Sequence, residues 1–552
     1  MAIAALTAAA LLPAAATAAD LRPCATGARC GSVAVPLVAA EPAAGSVSVG
    51  FEVYSHTRAG KPRDTVLVSA GGDGVPTTAE RKAVLALLAP LRDRRDIVLV
   101  DARGTGRSGR VGARGDAYGA GAAANDLDAV RQALGVGHVE VYGAGDGARI
   151  ALAYAARHGD RLRALVLDGG PRATLFHGDG RGEAHALARA LGRGQGAVAK
   201  LAARLRTRPL HSHGRIDDDV LARVAANGSA AELGELPAAA SAALHGDPLP
   251  LARLAAASAP PATRQAAQAL ASSCHDDVAP APIAQVDGGP FAPATWRRAL
   301  GLAGCQGRPP PATADPVLPG GADLTGAPAL VLGGELDVRA PTATLRTVAR
   351  LLPRGTFVRV LGAGAEPALS DPAGCAGSIL RMFLAKRGRV SAGCAGRRAQ
   401  PLGVRAFPAT VAAAPAALRD AAAHGRDHST LADRRAATAA ALGVADAIAG
   451  ASAPGASTRV AGLRGGSAAV TSRAGSLTLS LHAMRFVRDA ALDGLVTYDP
   501  DTGSVFASVT LAGADGSQRP FVLTWSTHQV GGLGSARGSS DGRPLLLVLK
   551  LP

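Results

Sequence analysis

At 552 residues the chain is too long for one small core and predicts two to four domains. Hydrophobic residues at 48% and charged residues at 18% exclude a disordered chain. The formal charge is +16, yet the basic residues are thinly spread and aromatics reach only 3%, so no nucleic-acid partner is expected.

The first segment, Ala2–Ala19, is apolar and ends in Ala16-Thr17-Ala18, the small-x-small pattern of a signal-peptidase site. Residues 1–19 therefore read as a signal peptide. The other reading is an Ala-rich anchor, which makes the membrane a partner only if the segment stays uncleaved. No later run reaches the roughly 18–20 apolar residues of a spanning helix. The six cysteines fall as neighbours, Cys24 with Cys30, Cys274 with Cys305 and Cys375 with Cys394. An even count with short separations suits disulfides in an exported protein, secreted or held in the cell envelope. Fifteen pairings are possible, and only proximity favours these three. No Cys-x-x-Cys spacing occurs, so no metal is expected.

After the leader, Gly45–Tyr54 alternates apolar and polar residues, as a half-buried strand does. Solid apolar runs follow at Thr65–Ser69, Ile97–Val100, Val139–Tyr142 and Ala164–Leu167, each closing in a turn rich in glycine. Helical patterns separate them, including Asp126–Leu134 and Ala148–His158. Alternating β and α segments with solid strands predict a parallel sheet covered on both faces. From about Arg172 to Gly320 helical spacing takes over, broken by prolines. The β/α rhythm resumes at Ala329–Leu332, Thr342–Leu352, Thr356–Leu361 and Ala376–Lys386. Two Ala-rich helices are then expected, Ala412–Ala423 and Leu431–Ile448. They lead into strands at Ser476–Val487, Leu492–Tyr498, Ser504–Leu511 and Phe521–Ser526, with hairpin turns at 499–503 and 514–516.

Four motifs then stand in a telling order. Asp101-Ala-Arg-Gly-Thr-Gly-Arg-Ser-Gly109 resembles the D-x-R-G-x-G-x-S segment of α/β-hydrolases. Val141-Tyr142-Gly143 opens a strand–turn–helix whose return strand ends in Asp168. Leu332-Gly-Gly-Glu-Leu-Asp337 and Gly362-Ala-Gly364 follow. Order, spacing and cysteine positions resemble the secreted actinobacterial tripeptidyl-aminopeptidase-like branch, related to proline iminopeptidases, over roughly Cys24 to Cys394.

The resemblance implies an α/β-hydrolase core in two halves, 20–171 and 321–395, the second being the tripeptidyl-aminopeptidase-like C-terminal region. A helical cap spans 172–320, a helical linker 396–455 and a β-rich appendage 456–552. It also implies a triad of serine, acid and histidine. The acid is present as Asp337. At the nucleophile position G-x-S-x-G reads Gly143-Ala-Gly145-Asp-Gly147, so Gly145 has no attacking group. At the histidine position stands Ala365, and no histidine occurs between His275 and His424. The oxyanion positions are Gly72, Asp73 and Asp146. A carboxylate at 146 gains from a helix N-terminus but repels a developing oxyanion. Loss of a catalytic serine or histidine costs on the order of 10⁶ in turnover.

The expected function is therefore a non-catalytic relative, a pseudoenzyme. Its pocket, bordered by Asp73, Asp146 and Asp337, binds a peptide or a small amine-bearing ligand, with no cofactor. Alternatives remain at this point. One is a hydrolase using non-standard residues, with Asp146 as nucleophile or His424 or His428 folded back toward Asp337. Another is a dinucleotide site built on Gly143-x-Gly145-x-x-Ala148 with Asp168, although Gly104-x-Gly106-x-x-Gly109 matches the same pattern. A third is a cell-envelope interaction protein. Gly538-Ser-Ser540-Asp-Gly542 also matches G-x-S-x-G, but no helix follows, so it reads as a turn.

Overall fold

The computed structural model describes residues 20–550 apart from 25–26, 72–73, 113–114, 171–180, 279–287, 306–314, 322–323, 325, 372–373, 387, 391–392, 395–402, 424, 453–456, 474, 529–532 and 541–542. The leader 1–19 thus lies outside the described residues.

The first part of the chain forms β1 (Arg22–Pro23), β2 (Arg29–Pro36), β3 (Ser46–Tyr54), β4 (Asp64–Ser69), α1 (Arg81–Leu88), β5 (Arg95–Val100), α2 (Ala120–Ala133), β6 (Val139–Ala144), α3 (Asp146–Arg157) and β7 (Leu162–Asp168). Seven helices follow: α4 (Arg181–Leu191), α5 (Gln195–Leu205), α6 (Asp218–Asn227), α7 (Ala230–Leu244), α8 (Leu249–Ala257), α9 (Ala266–Ser273) and α10 (Pro293–Ala299). A short hairpin, β8 (Leu210–His211) with β9 (Arg215–Ile216), interrupts them. The chain then returns through β10 (Ala329–Gly334), α11 (Thr342–Leu351), β11 (Gly355–Val360), α12 (Pro367–Ser370) and α13 (Cys375–Ala385).

The first sheet has the order β1-β2-β3-β5-β4-β6-β7-β10-β11. Pairing is antiparallel through β3–β5 and parallel from β5–β4 onward. Strands β4, β6 and β10 are buried along their whole length because helices cover both faces. Leu127, Leu152 and Val348 of α2, α3 and α11 pack on one face. Val84, Ile379 and Phe383 of α1 and α13 pack on the other. The three disulfides form between the cysteines paired by proximity. Among the described residues no helix is long and apolar enough to cross a membrane.

The last part differs in detail from expectation. In place of a helix over 412–423 there are two 3₁₀ turns, Val411–Ala413 and Ala421–Ala423, around β12 (Leu418–Arg419). Pro415 lies in the middle of that run and cannot occupy a helix interior without losing a hydrogen bond. Helix α14 (Leu431–Ser452) does form, opened by a reciprocal cap in which Asp433 N–H donates to Thr430 Oγ1 and Thr430 N–H to Asp433 Oδ2. β13 (Arg459–Ala461), β14 (Ser467–Arg473), β15 (Ser476–Met484), β16 (Ala490–Asp499), β17 (Ser504–Gly513), β18 (Gln518–Ser526), β19 (Leu533–Ser540) and β20 (Arg543–Lys550) complete an antiparallel sheet. Ser540 ends β19, while Asp541 and Gly542 lie outside the described residues.

Alternate residues of β15 to β18, such as Leu479, Val496, Ala507 and Leu523, face inward onto α14. The same apolar core continues into the helices inserted between β7 and β10, through Leu201, Leu236 and Leu251. Arg253 of α8 sits where these parts meet, bonding Glu235 of α7 and Asp446 of α14.

Candidate active site

β6 runs into Gly145, and α3 begins at once with Asp146. Gly145 has φ 59° and ψ −123°, a conformation that strains any residue with a Cβ. Its neighbours are held to glycine by close packing. A Cβ on Gly143 would strike the Gly147 carbonyl, and one on Gly147 would strike the Ser69 carbonyl of β4. Gly147→Ala is therefore expected to cost about 3 kcal/mol or more by prising α3 from β4. Gly196→Ala in α5, where nothing lies within 4 Å, should gain roughly 0.5–1 kcal/mol. Urea unfolding of both variants measures the contrast.

Asp337 follows β10 and is buried, its Oδ1 accepting from Arg339 N at 3.0 Å and Ala340 N at 2.9 Å. Burial pushes its carboxyl up to about 7, against the lowering effect of the Ala340 N–H. Ala365 is exposed on the loop after β11, and its carbonyl accepts from Ser370 Oγ. The next residue, Glu366, was not singled out by sequence, and it dominates the site. Its backbone is left-handed, φ 52° and ψ 58°, and its carbonyl receives Leu369 and Ser370 N–H at the start of α12. Its side chain turns inward, so that a Cβ on Gly145 would collide with Oε1.

Glu366 faces carboxylates on several elements. Burial, then Asp168, Glu80, Asp337 and Asp146, push it up to about 8. Asp168 ends β7 fully buried, with Oδ2 accepting from Tyr142 O–H at 2.9 Å and Oδ1 from Ala368 N at 2.9 Å. Burial raises it to about 7, and burial beside Asp168 also drives the Tyr142 phenol well up.

Of the oxyanion positions, Gly72 and Asp73 lie outside the described residues. Gly71 and Gly74 on either side of them both have positive φ, and the Gly71 carbonyl comes within 3.4 Å of a Cβ on Gly145. Asp146 opens α3 with Arg149 Nη2 at 3.9 Å. Arg149 reaches onward to Ser272 Oγ of α9 at 2.8 Å and to Asp276 at 3.4 Å, tying the turn to the inserted helices.

The geometry bears on two of the sequence alternatives. Asp168 does not offer a carboxylate to a ribose, because both oxygens are engaged in the core. In the 104–109 loop Gly106 packs against the Asp101 side chain, which accepts from Arg107 N, Thr78 N and Thr78 Oγ1. Beside that loop Arg103 pairs with Asp126 at 2.5 Å. His428 sits against β20 with its N–H on the Pro544 carbonyl, and among the described residues it makes no hydrogen bond to Asp337. His424 lies outside the described residues.

The family model for the alpha/beta hydrolase fold matches residues 78–372, more than half of the chain. The chain belongs to the α/β-hydrolase family.

Solved structures match this chain at low identity. They include an esterase from Thermogutta terrifontis (19% identity, covering 65% of this chain and 99% of that one, TM-score 0.32). A proline iminopeptidase from Mycobacterium smegmatis matches at 18% (65% and 98%, TM-score 0.34). An enol-lactonase from Burkholderia xenovorans matches at 16% (61% and 97%, TM-score 0.33). No curated protein matches. In this α/β-hydrolase-fold chain, Gly145, Asp337 and Ala365 lie beyond the C-terminal ends of β6, β10 and β11. Sequence reasoning missed Glu366, Tyr142 and Arg149. A Glu directly after Ala365 was the one available signal for Glu366. Arg149, one turn beyond Asp146 on α3, was a signal for the Asp146 contact.

Proposed function

We propose that this hydrolase-fold protein is exported and performs no acyl-enzyme chemistry, keeping the cleft between core and inserted helices to bind a peptide or small amine-bearing ligand. The branch it resembles is the actinobacterial tripeptidyl-aminopeptidase-like one, and the degenerate triad is part of the same reading. The observation that carries it is Glu366 Oε1 standing against the point where the side chain of residue 145 would start. An acyl-enzyme needs a nucleophile at that point, a base beside it and donors for the oxyanion. Here the first position holds a carboxyl group of a residue from another loop, and the base position is an exposed alanine. The surrounding carboxylates, Asp146 among them, favour a cationic group over an anionic transition state. Three disulfides and the absence of a membrane-spanning helix among the described residues are compatible with export.

A second reading has its own observation. Carboxyl groups poised near 7 and 8 suit general acid–base attack of water at neutral pH. Assays with chromogenic aminoacyl and short-chain ester substrates between pH 5 and 9 separate the two. No turnover is expected from the unmodified protein. Turnover at ordinary enzyme rates that disappears in Glu366→Gln sinks the binding-only reading and establishes the acid–base one. Restoration of activity requires Gly145→Ser with Ala365→His and also Glu366→Gly, because a side chain at 145 collides with Glu366.

A further inference from the structure

We propose that Glu366 is an internal stopper: in its neutral form the carboxyl group closes the vacant nucleophile position, and ionisation releases it and opens the cleft. The inference rests on the preceding reading only in that the opened cleft is the one a ligand would enter.

Four observations converge on one side chain. First, space: the Cβ that Gly145 lacks would start against the Glu366 carboxyl, with the Gly71 carbonyl 3.4 Å from the same point. Glu366 N lies 3.3 Å, and Asp337 Oδ2 3.8 Å, from where a Cβ on Gly169 would stand. Second, strain: a glutamate with φ 52° holds a left-handed backbone that persists only where the surroundings enforce it. Third, partners: among the described residues no hydrogen-bond donor or cation engages the Glu366 carboxyl, unlike Asp168, bonded at both oxygens, and Asp337, bonded at Oδ1. Fourth, charge: every titratable group that raises it electrostatically is acidic. These are Asp168 on β7, Asp337 after β10, Glu80 before α1 and Asp146 on α3. The Tyr142 phenol on β6 is committed to Asp168, and the Arg149 guanidinium on α3 to Asp146, Ser272 and Asp276.

A neutral carboxyl tolerates this place, since it is uncharged and half-buried. A carboxylate does not: it gains repulsion from four sides without one compensating donor. Outward rotation removes the repulsion, and the loop around 366 can then relax its left-handed residue. The affected chain is short, from Gly362 to Ser370, and is not one of the sheet strands. Release is therefore local. The Raised pKa of Glu366 places the transition on the alkaline side of neutrality.

Hydrogen–deuterium exchange of the full chain tests this between pH 6 and 9, with rates corrected for intrinsic chemical exchange. Amides of 145–148 and 362–370 should lose protection about tenfold over that range, one unit of differential protonation being a factor of ten. Strands β16 and β17 serve as the internal reference and should keep theirs. Glu366→Gln, neutral at every pH, should stay protected throughout, and Glu366→Gly should be open throughout. The proposal is overturned by an unchanged pattern in the unmodified protein. It is also overturned by an equal loss in Glu366→Gln or by a loss that spreads equally to β16 and β17. Enzymatic turnover by the unmodified protein would end the binding-only reading without touching this exchange result.

Discussion

Replacing Arg253 by methionine is expected to destabilise the protein by about 3–5 kcal/mol, the usual result of stripping the partner from buried charges. Arg253 lies between two carboxylates, Glu235 at 3.0 Å and Asp446 in direct contact, and stacks on the Phe407 ring at 5.5 Å. Both acids are buried, so each would be left to ionise without compensation or to take up a proton. Burial already pushes both upward, held in check by Arg253. The consequence reaches beyond one pair. Glu235 belongs to α7 and also receives Val404 N–H, while Asp446 belongs to α14 beneath the second sheet. Their shared arginine, together with Arg464 bonding Asp247, joins the inserted helices to the C-terminal sheet. The loss should therefore appear as one earlier transition in chemical denaturation. The triple change Arg253→Met, Glu235→Gln, Asp446→Asn should recover much of it, because no buried charge then lacks a partner. An Arg253→Met variant as stable as the unmodified protein contradicts this account.

Stability should fall as pH rises from about 4 to 8, the opposite of a protein held by ordinary ion pairs. Asp168 and Asp337 titrate near 7 and Glu366 near 8 in the fold. In the unfolded chain such groups ionise near 4. Over the interval between, the unfolded state binds fewer protons than the native state, so increasing pH favours unfolding. The contribution is fully present below the unfolded values and lost once pH passes the folded ones. Each unit of separation is worth about 1.4 kcal/mol, so one unit kept at each of three groups is about 4 kcal/mol. Asp128 acts in the opposite sense. Burial raises it, but Arg131 and Gln132 outweigh that and bring it down to about 2. Its contribution is lost below about pH 4. The melting temperature should thus peak in mildly acidic buffer and be lower at pH 9. Glu366→Gln should flatten the alkaline limb, and a limb unchanged in that variant would place its cause elsewhere.

These residues also show how far sequence reached. The turn at Gly143–Gly147 was legible because its glycines answer local crowding against β4. Asp337 came from the resemblance of the 332–337 segment to a hydrolase motif, and the disulfides from short separations. The strands β19 and β20 were less legible: β19 is rich in Gly and Ser, and neither shows a clear polar alternation. The helix over 412–423 failed on Pro415, whose missing N–H outweighs the Ala-rich composition on either side.

By itself, then, the sequence determined the alternating architecture and the bridges, since each depends on residues close along the chain, while the vacancy at positions 145 and 365 was what the resemblance implied. Only the tertiary structure decided what fills the vacancy and how the parts are joined. Glu366 meets Gly145, Ala368 meets Asp168, and Arg253 meets Asp446 across long stretches of chain. No periodicity records such encounters. They arise because burying two sheets and their helices leaves particular side chains with one place to go.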